Sequence, residues 1–171
     1  MELVSTFLNL LKSNGKTIAD VKKKSRSFKT RFEKDRTRHF FKLFEPLLKQ
    51  YETFLQHEGR IDFADMINRA TRLLNGKAVS RRYRYVIIDE FQDLSTSRYN
   101  LLQAVKNQNP EVKFFCVGDD WQSIFRFAGS DLGLFRNFEN HFGYTETAKI
   151  ETTYRFNEPM IGVSGGFVMK N

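Results

Sequence analysis

Tyr85, Val86, Ile87 and Ile88 form a short apolar run that passes without a break into Asp89, Glu90, Gln92 and Asp93. A run of this length, rich in β-branched residues, reads as a buried strand. A buried strand that ends in adjacent carboxylates presents them at its carboxyl edge, where open α/β sheets bind their ligands. Paired acidic residues at such an edge suit a hydrated divalent cation, and the expected cargo is nucleotide phosphate.

The pattern recurs. Residues 112–117 are a second apolar run, ending in Gly118, Asp119, Asp120, Trp121 and Gln122, and residues 149–153 are a third β-prone stretch, ending in Tyr154 and Arg155. The segments between them have helical spacing, with Leu101, Leu102 and Val105 in residues 96–107 and Leu132, Phe135 and Phe138 in residues 131–142. The order strand, helix, strand, helix, strand predicts right-handed parallel crossovers that bring three strand ends to one edge.

Three strings in this half resemble a known family. Asp89-Glu90-Phe91-Gln92-Asp93, the stretch from Gly118 through Gln122 to Phe127, and Thr152-Thr153-Tyr154-Arg155-Phe156-Asn157 are similar to motifs II, III and IV of UvrD/Rep-type superfamily 1 DNA helicases. Trp121 between Asp120 and Gln122, and the Tyr154-Arg155-Phe156-Asn157 ending, resemble the helicase IV branch most. The strong part of the resemblance covers residues 83–157. Ile61 to Met66 is similar to the segment that precedes motif II, and residues 1–60 match only in helical character.

The resemblance implies an incomplete RecA-like P-loop NTPase motor domain with a parallel sheet, preceded by a mostly helical region. It implies ATP and Mg2+ as cofactors of the complete protein. Asp89 would hold magnesium through water, Glu90 would activate the attacking water, and Gln122 would sense the terminal phosphate. Arg155 would place positive charge against the γ-phosphate and Tyr154 would stack on adenine. Phe125, Arg126 and Phe127 would contact single-stranded DNA, with the aromatic rings stacking on bases. Many relatives carry Trp-Arg where this chain has Phe127 and Ala128, which removes a stacking surface and a charge. The residues by themselves leave other readings open: core packing for Phe125 and Phe127, a surface ion pair for Arg155, and helix capping or loop orientation for Asp93, Asp119 and Asp120.

Charge divides the chain. Residues 1–85 hold 20 Lys plus Arg against 9 Asp plus Glu, whereas residues 86–171 hold 8 against 11, within a net charge of +8. The basic half includes Lys22, Lys23, Lys24 and Arg26, followed by Lys29, Arg31, Lys34, Arg36 and Arg38. Such density suits phosphate contacts, and it equally suits a solvated helical face. The resemblance favours contact with single-stranded or partly duplex DNA through Lys22, Lys23 and Lys24.

At 171 residues and 40% hydrophobic content the chain can bury a core. No apolar run is long enough to cross a bilayer and the first residues lack a secretory pattern, so a cytoplasmic protein without membrane contact is expected. The single cysteine, Cys116, lies in an apolar run and cannot form an internal disulfide, which leaves it as a small core residue.

The first half has two helical stripes, Leu3, Phe7, Leu10 and Leu11, then Phe40, Phe44, Leu47, Tyr51 and Phe54, with Pro46 marking a kink or a fresh helix start. Asp62 is placed to cap a further helix through Ala64 or Asp65, and Gly76 to end it. Gly15, Lys16 and Thr17 imitate the end of a Walker A loop. That loop needs a glycine five residues before Gly15, where this chain has Leu10 in a helical stripe, so a helix-to-helix turn is expected. The true Walker A loop and the second motor domain are expected outside the chain, and the chain alone is expected to hydrolyse no ATP.

The expected organisation is a helical DNA-binding insertion and its return over residues 1–78, part of a first motor domain over 79–157, and the start of a connection to a second motor domain over 158–171. The expected function is a fragment of an ATP-dependent 3′ to 5′ DNA helicase, the polarity resting on the resemblance. The alternative is a non-hydrolysing DNA-binding or interaction module of helicase-like shape.

Overall fold

The computed structural model describes residues 2–124 and 129–170. Four helices come first: α1 (Glu2–Ser13), α2 (Ile18–Ser25), α3 (Arg31–His57) and α4 (Phe63–Asn75). Three of them start on a side-chain oxygen that answers an otherwise unpaired backbone N–H. Thr17 and Thr30 form reciprocal capping boxes with Asp20 and Glu33, and Asp62 accepts the amide of Asp65 at 2.7 Å. Gly15, at φ +60°, turns the chain between α1 and α2, so the Walker-like tripeptide is the expected helix-to-helix turn.

The two apolar stripes meet. Phe7 of α1 sits edge-on to Phe40 and Phe44 of α3, with ring centroids 4.9 and 4.7 Å away, and Phe44 is fully buried. α3 runs through Pro46 as one helix rather than restarting there. A proline inside a helix removes one hydrogen bond; before Pro46 the rings of Phe40, Phe41 and Phe44 pack on Phe7, and after it Tyr51 is tied to Asp62, while Phe54 of the same stripe is left exposed.

β1 (Tyr85–Ile88), α5 (Thr96–Gln108) and β2 (Lys113–Cys116) form a β-α-β unit, with β1 and β2 parallel and Ile88 opposite Cys116. Short helices α6 (Leu132–Arg136) and α7 (Phe138–Phe142) follow, and α8 (Glu158–Val168) lies near the end. The single helix expected over 131–142 is broken at Asn137, whose backbone leaves the helical region and whose side chain bonds back to the Gly133 carbonyl at 3.0 Å. The inner sheet face, with Ile88 and Cys116, packs on a core of Phe91, Leu94 and Leu134 together with Tyr99, Leu102, Phe135, Phe138 and Phe142.

Two expectations about the strands are corrected. Both strands alternate between half-buried and exposed residues instead of being buried throughout, and Ile87 and Phe115 are 74% and 63% exposed. Helices cover one face only. The third strand, over 149–153, does not form: among the described residues the sheet is β1 and β2, and Ile150 is 85% exposed. A β-prone stretch becomes a strand when it pairs with a neighbouring edge and buries a face, and residues 149–153 are unpaired and exposed.

α4 packs along α5, and α1 packs on both, so the helical half and the β-α-β unit share an interface. Gln108 reinforces it by donating to the carbonyls of Leu74 and Val79, at 2.6 and 3.0 Å. Lys12, at the end of α1, is buried and bridges Asp62 at 2.7 Å and Asp65 at 2.5 Å, while Tyr51 of α3 donates to Asp62 at 3.1 Å. One ammonium thereby fastens α1 to the start of α4.

Burial alone would lower the Lys12 pKa, but its hydrogen bonds to Asp62 and Asp65 outweigh burial and hold it above the ordinary 10.5. Burial likewise pushes Asp62 up, and the bonds from Lys12 and the Asp65 amide bring it below the ordinary 3.8. The Asp62 contribution is therefore complete above the ordinary carboxylate range and is lost as pH falls through the lowered value; the Lys12 contribution is lost only as pH rises past 10.5. Lys12→Met is expected to cost about 1–3 kcal/mol at neutral pH, because it strands two partly buried carboxylates. Urea unfolding of both proteins at neutral pH and in strong acid checks this, with the difference shrinking in acid.

Candidate functional site

The loops that leave β1 and β2 are neighbours because the strands are paired and parallel. Val117 donates its amide to the Ile88 carbonyl and Phe91 donates to Val117, both at 2.9 Å, which carries the pairing past the strand ends. Asp89 and Glu90 then sit exposed at the carboxyl edge. Glu90 has φ +51°, a left-handed conformation that non-glycine residues rarely adopt. Such backbone strain concentrates at functional sites. The Glu90 amide is satisfied locally by Asp89 Oδ1 at 2.9 Å.

Behind Glu90, Gln92 is fully buried. Its Nε2 donates to Glu90 Oε2 at 2.6 Å, and its Oε1 accepts the Asp119 amide at 3.0 Å. Asp119 in turn accepts the Trp121 amide at 3.0 Å and the Gln122 side-chain amide at 2.8 Å. The capping and orientation reading of Asp119 thus describes its contacts. Asp120 is joined to Arg136 of α6 at 3.3 Å. A continuous chain of hydrogen bonds therefore runs from Glu90 through Gln92 and Asp119 to Gln122, and the structure brings Asp89, Glu90 and Gln122 to one edge.

Gln92 stands within the string that resembles motif II, yet its sequence context alone assigns it no role. A signal is nevertheless present: an amide placed between the apolar Phe91 and the acidic Asp93, two residues after Glu90, is costly to bury unless both of its ends are paired.

Tyr154 and Arg155 are not brought to this edge. Both are exposed, Tyr154 to 95%, and among the described residues the hydrogen bonds of 154–157 are local. Phe125, Arg126 and Phe127 lie outside the described residues. The segment that follows them is tied down: Asp131 donates its amide to Leu94 at 2.9 Å, and Ser130 bridges Ser95.

Lys22, Lys23 and Lys24 occupy the last turn of α2, all exposed. They are not equivalent. Lys22 is paired with Glu45 and lies over the Phe41 ring of α3, while Arg31 and Arg38 bridge Asp35 on their own helix. Lys24, Arg26, Lys29 and Lys34 form no ion pair among the described residues. Half-buried Cys116 has its thiol pushed up to about 11 by burial, as suits an inert core residue. Among the described residues no helix is long and apolar enough to cross a membrane.

A parallel β-α-β unit with acidic and amide side chains joined across its carboxyl edge has the place where open α/β sheets bind their ligands. Comparison with known proteins narrows this. Residues 2–143 match the UvrD/REP helicase N-terminal domain, and the chain belongs to that family. It is 38% identical over 130 residues to DNA helicase IV of Escherichia coli (strain K12), covering 76% of this chain and 19% of that protein. It is 30% identical over 133 residues to ATP-dependent DNA helicase Rep of Buchnera aphidicola subsp. Acyrthosiphon pisum (strain APS), covering 75% and 20%. DNA helicase II of Rickettsia typhi (strain ATCC VR-144 / Wilmington) is 28% identical over 130 residues, covering 73% and 20%. The chain spans a fifth or less of the length of these curated relatives.

Proposed function

We propose that this chain is part of the first, RecA-like motor domain of an ATP-dependent 3′ to 5′ DNA helicase of the helicase IV branch, with residues 1–78 as its helical insertion and return and 158–171 leading toward a second motor domain. The hydrogen-bond chain from Glu90 to Gln122 carries the reading, because it joins the loops that would activate water and sense phosphate. The names of the relatives support the same activity.

Magnesium fits the residues present. Among the described residues no three His, Cys, Asp or Glu side chains converge to cage a metal. Magnesium needs no such cage, since it keeps several waters and is held by one or two carboxylates together with substrate phosphates. Asp89 would hold it through water, and bound magnesium would neutralise charge on the transferred phosphoryl group. Glu90 would orient and deprotonate the attacking water and Gln122 would report the terminal phosphate; Arg155 and Tyr154, exposed and apart from this edge, would have to be brought to it to meet the γ-phosphate and the adenine. Phe125, Arg126 and Phe127, which follow Gln122 in sequence, would contact single-stranded DNA.

Two measurements address the reading. The full-length protein is expected to show magnesium-dependent, DNA-stimulated ATPase activity; salt-sensitive DNA binding without any nucleotide effect would favour the non-hydrolysing module instead. In the same protein Gln122→Ala and Phe127→Ala are expected to reduce strand separation more than ATP turnover, and a proportional loss of both would remove the coupling role of these residues.

The basic helices give a graded prediction. Removing a lysine that neutralises one DNA phosphate lowers the slope of log affinity against log salt by about one. Lys23→Ala and Lys24→Ala are expected to do so, whereas Lys22→Ala is expected to act less, because Glu45 already holds its ammonium. Equal slopes in all three variants and the parent protein would make this surface a solvated face.

A further inference from the structure

We propose that Gln92 is a positioning residue for hydrolysis, which fixes the Glu90 carboxylate and links its placement to the phosphate-sensing loop at Gln122. The inference rests on the reading of Glu90 as the water-activating base. Gln92 is 1% exposed, so its amide has no water to fall back on, and each end has one protein partner: Glu90 Oε2 at 2.6 Å and the Asp119 amide at 3.0 Å. The orientation is forced. Turning the amide over would set its oxygen against the Glu90 carboxylate and its NH2 against the Asp119 N–H, two repulsive contacts in a buried place.

The surroundings keep this bridge short. A Cβ at Gly118 would lie 2.6 Å from Gln92 Oε1 and 2.8 Å from Phe135 Cε2, so glycine is what lets the β2 loop close on the amide. Beyond it, the Asp119 carboxylate holds the Gln122 side chain at 2.8 Å. A shift of Gln122 toward or away from a terminal phosphate therefore pulls on the Asp119 loop, and through Gln92 on one oxygen of Glu90. Glu90 is exposed, and the bond from Gln92 is the one hydrogen bond its carboxylate makes among the described residues. A group held rigidly in the productive geometry contributes to turnover, while one that must be ordered in each cycle does not.

The test uses the full-length protein with ATP and magnesium. Gln92→Glu keeps the size and the acceptor for the Asp119 amide but replaces the donor with a charged oxygen facing Glu90. Gln92→Asn keeps the amide but is one methylene too short to span both partners. Each is expected to lower kcat by about tenfold or more with KM for ATP within about twofold, since ground-state phosphate contacts stay in place. Active-site titration separates this from misfolding: turnover per folded site falls. Normal turnover per folded site in both variants, or a loss that tracks the folded fraction alone, overturns the inference. Glu90→Gln in the same preparation distinguishes the two levels. If it abolishes hydrolysis while the Gln92 variants do not, the positioning role fails by itself; if it leaves hydrolysis intact, the reading of the site fails and the positioning role falls with it.

Discussion

Phe91→Ala is expected to destabilise the 171-residue chain by about 3–5 kcal/mol, the range for deleting a well-packed core aromatic side chain. Phe91 is fully buried, with ring centroids 5.2 Å from Phe138, 6.0 Å from Phe142 and 6.3 Å from Phe135. Its ring is thus the anchor that holds α6 and α7 under the sheet. A domain of this size is stable by roughly 5–15 kcal/mol, so the loss takes a large share of the total. Phe115→Ala is the internal comparison: its side chain lies on the uncovered sheet face, and its removal from this chain is expected to cost far less than that of Phe91. Urea unfolding of the three proteins checks both, and a Phe91→Ala midpoint close to that of Phe115→Ala would show that the core is not built around Phe91.

Where local chemistry decides the outcome, the sequence can be read directly. The apolar run from Tyr85 to Ile88 is β1, and Asp62 caps α4 through Asp65. Such features need only a few consecutive residues. Residues 149–153 show the limit, since a β-prone stretch is a strand only if another strand lies beside it, and that depends on chain far away in sequence. Burial of the strands is overestimated from sequence for the same reason: what packs on each face, rather than the apolar run itself, decides whether Ile87 is covered. The break at Asn137 is hidden because Leu132, Phe135 and Phe138 keep a spacing that one helix or two short ones satisfy equally.

The site divides in the same way. Asp89, Glu90 and Gln122 stand out in the sequence because each belongs to a string that follows an apolar run, and the strings occur together in the order of the family they resemble. Gln92 and Gly118 carry the link between the two loops, and their roles depend on a contact across 27 residues that no local pattern specifies. Lys22, Lys23 and Lys24 look alike as a string. Glu45, on the next helix, is what sets Lys22 apart.

The Glu90 carboxylate is central to the proposed chemistry. Glu90→Gln keeps the size of the side chain and its place at the edge, and it removes the proton acceptor without removing a phosphate contact. A positioned general base contributes about 10²–10⁴-fold to rate, so turnover in the full-length protein is expected to fall by that factor. The direct test is to measure, on one preparation of the Glu90→Gln full-length protein, DNA-stimulated ATP hydrolysis and equilibrium binding of ATP with magnesium. Hydrolysis reduced by about 10²–10⁴-fold with ATP binding nearly intact is the expected result; hydrolysis close to that of the parent protein would contradict the role assigned to Glu90.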